Sequence, residues 1–330
     1  MIKLKRLKLV NYCGYRTFDL DMTDGEGVKK WTILFGPNGV GKSNFLEAVR
    51  LLSYPTTIRG RPDLSLFFRR LTYHPDYQPG LEGFDTSRTE MSMLGVFETP
   101  EGDKEVEIKN DWTLRGSGLT KDEIGQTKPT TLYLDADNPM NMQKFQLKSK
   151  YKEQFLDFAR AVYGFECAIP DAKTNMHKEL DPVTGKWTTY FLDFVITKFG
   201  NTKVHFKSMS AGEKKIATML RTLFNQGYDN KNAGILLIDN IEMHIYFKRH
   251  MKLIEKLGEH FPDRQIIATT HSPVITSEMD EKYLCDLEDF IGRGDINYPS
   301  KEAREEMSDD LDNRIRDKIL RGEGEIFREI

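Results

Sequence analysis

Four short stretches of this 330-residue sequence place small and charged residues in patterns suited to phosphate chemistry. The first, Gly36-Pro37-Asn38-Gly39-Val40-Gly41-Lys42-Ser43, is a full match to GxxxxGK[ST]. Its glycines permit a backbone tight enough to wrap a phosphate and turn N–H groups inward. Lys42 would then reach the β- and γ-phosphates of a nucleoside triphosphate such as ATP, and the Ser43 hydroxyl would ligate Mg2+. The second stretch is Ser208-Met209-Ser210-Ala211-Gly212-Glu213-Lys214-Lys215, small and polar residues that open a helix with Ser210 as its N-cap. The third is the apolar run 234–238 ending in Asp239, which sets a carboxylate at a strand end where it can hold Mg2+ or Ser43. Asn240, Glu242 and His244 follow it closely. The fourth, Thr269-Thr270-His271-Ser272-Pro273, ends a second strand with an imidazole able to touch a γ-phosphate or orient water.

The surrounding pattern supplies the elements that such residues need. Residues 31–35 form a short apolar strand running into the glycine-rich loop, and Phe45, Leu46, Val49 and Leu52 then recur at helical spacing. The loop is therefore flanked by a strand and by a helix whose positive dipole end faces the anion. Residues 2–9 and 17–22 alternate as strands around a turn at 11–14. In the middle, 91–97, 106–108 and 131–134 read as strands, 151–163 as a helix, and 188–206 as one β-hairpin. Helices over about 212–224 and up to about 257 alternate with strands at 234–239 and 265–269. That alternation implies a mainly parallel, helix-covered sheet. A charged tail from 280 onward includes an expected helix at 301–320.

Composition sets outer limits. Hydrophobic residues make up 38% and charged residues 30%, enough apolar material for a sizeable core, which excludes wholesale disorder. The net charge of −3 excludes a uniformly basic chain that coats nucleic acid. The charge is nevertheless uneven: residues 1–70 carry 13 Lys and Arg against 6 Asp and Glu, and residues 276–330 carry 9 against 17. Arg59, Arg61, Arg69 and Arg70 lie in the basic front, a pattern that suits DNA as well as an ordinary charged surface. No run reaches the roughly 18 apolar residues of a membrane span. Three scattered cysteines, Cys13, Cys167 and Cys285, form no disulfide framework or zinc module. The expectation is a cytoplasmic protein.

Taken in order, the four stretches resemble the ATP-binding-cassette ATPases, most closely the soluble branch of RecF, the SMC proteins and the OLD-family ATPases. FGPNGVGKSNFLEAVRLL is similar to that branch's Walker A strand, loop and helix, MSAGEKK to its signature, ILLIDNIEMH to Walker B and the D-loop, and IIATTHSP to the H-loop. The resemblance implies an α/β fold: an ABC-ATPase head with a mainly parallel sheet, an N-terminal antiparallel β part and a compact inserted lobe. The expected division is a split head at 1–53 and 205–275, an inserted lobe at 54–204 without a long coiled coil, and an acidic, partly helical tail at 276–330. The resemblance further implies a homodimer, with higher oligomers open. ATP on residues 36–43 of one copy is completed by Ser210, Ala211, Gly212 and Glu213 of the other, with Mg2+ at Ser43 and Asp239.

Departures from the pattern carry further expectations. The branch normally follows its Walker B Asp with a Glu that polarises water, and here Asn240 holds that position. An amide cannot take a proton, so turnover should be slow. Glu242 is either a structural D-loop residue or a displaced base. Cys13 stands where the first hairpin often carries an arginine. Gln78 is the nearest candidate for a Q-loop glutamine. OLD proteins continue past the H-loop into a nuclease domain, and the 59 residues after His271 show no such carboxylate cluster. A separate nuclease or toxin effector is therefore expected, as in antiphage defence systems of the OLD or Septu type. A hydrolysis-poor scaffold that sequesters an effector and a RecF-like DNA-repair ATPase are the alternatives.

Overall fold

The computed structural model describes residues 1–53, 92–109, 114–115, 131–135, 144–170, 175–180, 186–228 and 234–296. Arg59, Arg61, Arg69, Arg70, Gln78 and the helix expected at 301–320 lie outside them.

The central layer is a five-stranded, wholly parallel sheet. Its strands are β3 (Trp31–Phe35), β7 (Thr131–Asp135), β14 (Ile235–Asp239), β15 (Gln265–Thr269) and β16 (Leu284–Asp286), ordered β16-β3-β15-β14-β7. Every residue of β14 and β15 is buried, in keeping with the continuous apolar stretches 235–238 and 266–268. The two-residue alternation splits them between two cores. Leu236, Ile238, Ile266 and Ala268 face one, and Ile235, Leu237 and Ile267 face the other.

The second of these cores is closed by α1 (Lys42–Leu52) and an antiparallel sheet. Phe45, Leu46, Val49 and Leu52 of α1 are fully buried there, as the helical spacing predicts. The antiparallel sheet runs β2-β1-β4-β5-β6, with β1 (Lys3–Tyr12), β2 (Tyr15–Asp21), β4 (Ser92–Thr99), β5 (Gly102–Lys109) and β6 (Leu114–Arg115). The β1–β2 turn holds Cys13 and Gly14, both at positive φ, as a tight two-residue hairpin needs. The buried Gln265 side chain clips the two sheets together. It donates to the Leu4 carbonyl and accepts from the Leu4 N–H, each at 2.8 Å.

The first core is closed by helices α2 (Lys152–Tyr163), α3 (Ala211–Thr222) and α4 (His250–His260), with α3 running on as a π-helical turn over Leu223–Tyr228. An aromatic cluster fills it: Phe155 packs edge-to-face on Phe194, and Phe224 stacks on Tyr228 at 5.2 Å. Two small antiparallel sheets flank it. One is β8 (Leu147–Lys148), β10 (Met176–Leu180) and β11 (Trp187–Phe191); the other is β9 (Glu166–Ala168), β12 (Val195–Lys198) and β13 (Thr202–His205).

One expectation changes. The region 188–206 is not one hairpin, because β11 pairs with β10 and β8 while β12 and β13 form the hairpin around residues 199–201. Within 54–204, β4 and β5 extend the β1 sheet and β7 lies beside β14. Beyond 275, β16 pairs with β3, and Leu287 and Ile296 are buried in the core with α1. Their apolar burial outweighs the charge around them. The three cysteines are buried free thiols, and burial pushes those of Cys167 and Cys285 up to about 12. No helix among the described residues is long and apolar enough to cross a membrane.

Candidate functional site

The chemistry-bearing residues converge on one edge of the parallel sheet, where β3, β14 and β15 end. Residues 36–41 leave β3 as the glycine-rich loop, and α1 begins at Lys42. Gly41 sits at φ +106°, and a Cβ there would lie 3.1 Å from the Tyr15 ring. The Tyr15 hydroxyl donates to the Gly41 carbonyl at 3.0 Å. The loop thus rests on a tyrosine of the N-terminal hairpin, whose complete burial raises its hydroxyl pKa well above the ordinary value. Only glycine meets both the conformational and the steric demand at this position.

Lys42 is buried, and its ammonium donates to the carbonyls of Gly36 at 2.9 Å and Pro37 at 3.0 Å. Burial lowers its pKa, and the charges of Asp239 and Glu242 act in the opposite sense. A cation parked on two neutral carbonyls has charge to offer an incoming phosphate. An open cavity of about 360 Å3 lies over it, lined by Asn38, Gly39, Gly41, Lys42, Ser43, Asn44, Asn240 and His271. Pro37 and Val40 complete the loop behind, with Val40 buried in the core beside α1.

Asp239 is buried at the end of β14 and held from both sides. Thr269 Oγ1 donates to its Oδ1 at 2.5 Å and the Tyr133 hydroxyl to its Oδ2 at 3.4 Å. The same Thr269 hydroxyl accepts from the Asn240 N–H at 2.8 Å. Asn240 adopts φ +51°, a left-handed conformation that asparagine tolerates better than most residues. Glu242 is not among the cavity-lining residues. Its carboxylate accepts from the Thr270 hydroxyl and from the His271 N–H, each at 2.7 Å. Of the two roles open to it, this geometry matches the structural one. His271 lines the cavity, and burial, with the charge of Lys42, lowers its pKa. Sequence reasoning missed Tyr15 and Tyr133, and it named Thr269 only within the stretch around His271, without its contacts to Asp239 and Asn240.

Ser210, Ala211, Gly212 and Glu213 are not part of this cavity's lining. Ser210 and Ala211 are exposed at the start of α3. There Ser210 Oγ accepts from the Glu213 N–H, and the Glu213 carboxylate accepts from the Ser210 N–H at 2.9 Å. A capping box satisfies only part of the N–H groups that a helix start leaves without intrahelical partners. Lys198 pairs with Glu213 at 2.7 Å, and the Tyr163 hydroxyl donates to the Glu213 carbonyl. Gly212 lies against His244 of the segment after Asn240.

A phosphate loop, an Asp-ended strand, a His-ended strand and a separate capped helix start on this sheet order define an ATPase of the ABC type. The family described as "AAA domain, putative AbiEii toxin, Type IV TA system" matches the chain in two overlapping segments, residues 32–139 and 132–277. The chain belongs to that family. It is 24% identical over 296 residues to a "Septu protein PtuA" of Bacillus mycoides, covering 82% of this chain and 38% of the relative. It is 31% identical over 241 residues to the "Retron Ec83 probable ATPase" of Escherichia coli, covering 70% of this chain and 40% of the relative. The chain thus spans about two fifths of the length of these two relatives. Among solved structures, an Smc head bound to the C-terminal winged-helix domain of ScpA superposes with a TM-score of 0.56. It is 16% identical and covers 86% of this chain and 93% of that one, a likeness of fold.

Proposed function

We propose that two copies of the chain close over ATP, with residues 36–43 of one completed by Ser210 and Gly212 of the other. The exposed, outward-facing start of α3 supports this, because it lies outside the cavity yet presents the N–H groups a γ-phosphate attracts. Closure then depends on the triphosphate and relaxes on hydrolysis, a switch driven by differential contact. Ser43 and Asp239 offer the hard oxygen donors that Mg2+ prefers, and the Thr269 and Tyr133 hydroxyls both donate to Asp239. The ion would neutralise phosphate charge during transfer.

Hydrolysis is slow in this reading. The observation that carries it is the cavity lining, where Asn240 and His271 flank Lys42 and no carboxylate contributes. Glu242, three residues after Asp239, is committed to Thr270 and His271. A long-lived closed dimer would control a separate effector, a nuclease or toxin, in cytoplasmic antiphage defence, with DNA as a further contact. The names of the Septu and retron relatives support that setting. A scaffold that hardly turns over and sequesters the effector is the second reading, favoured by the same Asn240.

Turnover of the Asn240→Glu variant tests the assignment. Restoring a base should raise the rate about tenfold or more. The longer side chain also meets the left-handed backbone, which costs about 1–2 kcal/mol of stability. Brisk turnover by the natural chain that Glu242→Gln leaves unchanged would overturn the account of the base.

A further inference from the structure

His250, the first residue of α4, is buried and holds a different loop with each ring nitrogen. Its Nε2 donates to the Ile245 carbonyl at 2.9 Å, since a carbonyl can only accept, and its Nδ1 lies 2.7 Å from Ser272 Oγ. Ile245 belongs to the loop after β14 and Ser272 to the loop after β15. These two loops supply Asn240 and His271 to the ATP cavity.

The contacts close into a ring. The Ser272 N–H donates to Thr270 Oγ1 at 3.0 Å, and the Thr270 hydroxyl donates to the Glu242 carboxylate at 2.7 Å. The Ile245 N–H donates to the Glu242 carbonyl at 3.0 Å, and His250 joins Ile245 back to Ser272. His271 itself is exposed, but its neighbours Thr270 and Ser272 are buried, and its own N–H is held by Glu242. The imidazole in the cavity lining thus stands on a backbone pinned on both sides. The loop after β14 needs such bracing, because Asn240 and His244 adopt positive φ values of 51° and 65°.

We propose that His250 is a positioning residue: by joining Ser272 to Ile245 it sets His271 at the γ-phosphate of bound ATP. It acts through these loops, since it is not among the residues that line the cavity. A misplacement of about 1 Å is enough to spoil a contact of that kind. The inference rests on the reading of the cavity as an ATP site, and not on the second copy or on the rate of hydrolysis.

Calorimetric binding of ADP and of the β,γ-imido analogue of ATP, each with Mg2+, tests it. The full chain carries Ser210→Arg, which fills the exposed start of α3 and leaves the γ-phosphate to one protomer. The quantity read is the preference for the triphosphate over ADP. His271→Ala should lower it about tenfold. His250→Leu should lower it about fivefold while ADP affinity is kept. His250→Gln, which offers a donor and an acceptor on one planar group, should restore most of the preference. Ser272→Ala deletes one oxygen of the same link and gives the answer should His250→Leu not fold. A histidine with a structural role alone would lower the thermal midpoint and leave the preference intact. If His271→Ala lowers the preference and neither Ser272→Ala nor a folded His250→Leu does, the inference fails and the ATP site stands. It fails too if His250→Gln is as poor as His250→Leu, because the hydrogen bonds are then not the cause. If His271→Ala changes nothing, His271 does not meet the γ-phosphate, and that reading of the cavity falls together with the inference.

Discussion

At the rim of the parallel sheet Asp239 and Glu242 are each held by residues distant in sequence, whereas the start of α3 is held largely by itself. Asp239 is fixed by Thr269 and Tyr133, Glu242 by Thr270 and His271, and the loop backbone by Tyr15. Ser210 is fixed by Glu213 three residues away, with Lys198 and Tyr163 as outer braces. At the rim Lys42 and Asp239 are buried, while at the signature Ser210 and Ala211 are exposed. A site preorganised on one side and open on the other is what an interface-completed active centre requires.

The largest expected break in this contrast is Thr269→Val. It removes the hydroxyl that serves both Asp239 and the Asn240 N–H, so the chain should lose about 1–3 kcal/mol of stability and bind ATP more weakly. Denaturant midpoints and equilibrium ATP binding read both effects. Ser210→Ala should do less to stability, about 1 kcal/mol from the lost N-cap. It should leave ATP binding to an isolated protomer unchanged while lowering turnover, because the loss falls on the other half of the site.

Acidification should produce the smallest effect, and it separates the regions by histidine. His271 at the rim, and His260, which packs on Phe158 between α4 and α2, both have pKa values lowered mainly by burial. The unfolded chain then binds more protons than the folded one as pH falls past the ordinary histidine value of about 6.5. Their stabilisation is full above that value and declines below it. The carboxylates held by ion pairs, such as Asp157 and Glu213, have lowered values and give way only below about pH 4.5. Unfolding midpoints between pH 7.5 and 5.5 should fall in the natural chain and less in His260→Gln.

The same contrast explains how much could be read from the amino acids alone. β14 and β15 were legible from their apolar stretches 235–238 and 266–268, because strands buried on both faces show no alternation of polar and apolar residues. The capping box at Ser210 is local, so its spacing is visible in sequence. What depends on distant partners was not visible. β11 looks like half of a hairpin with its neighbour until β8 and β10 claim it. β16 is three residues in a charged stretch, and only its pairing with β3 makes it part of the sheet. Glu242 is ambiguous until Thr270 and His271, nearly thirty residues on, take both its oxygens.

The central claim, that the P-loop and Ser210 act across two copies, is tested most directly by mixing two inactive variants. Lys42→Ala removes the phosphate-facing lysine, and Ser210→Arg fills the exposed start of α3. Each alone should hydrolyse almost no ATP. In a mixture, half of the dimers are mixed and each holds one intact site, so about a quarter of the natural activity should return. If mixing restores nothing while the two variants still associate, Ser210 does not act on the partner's nucleotide and the account is contradicted.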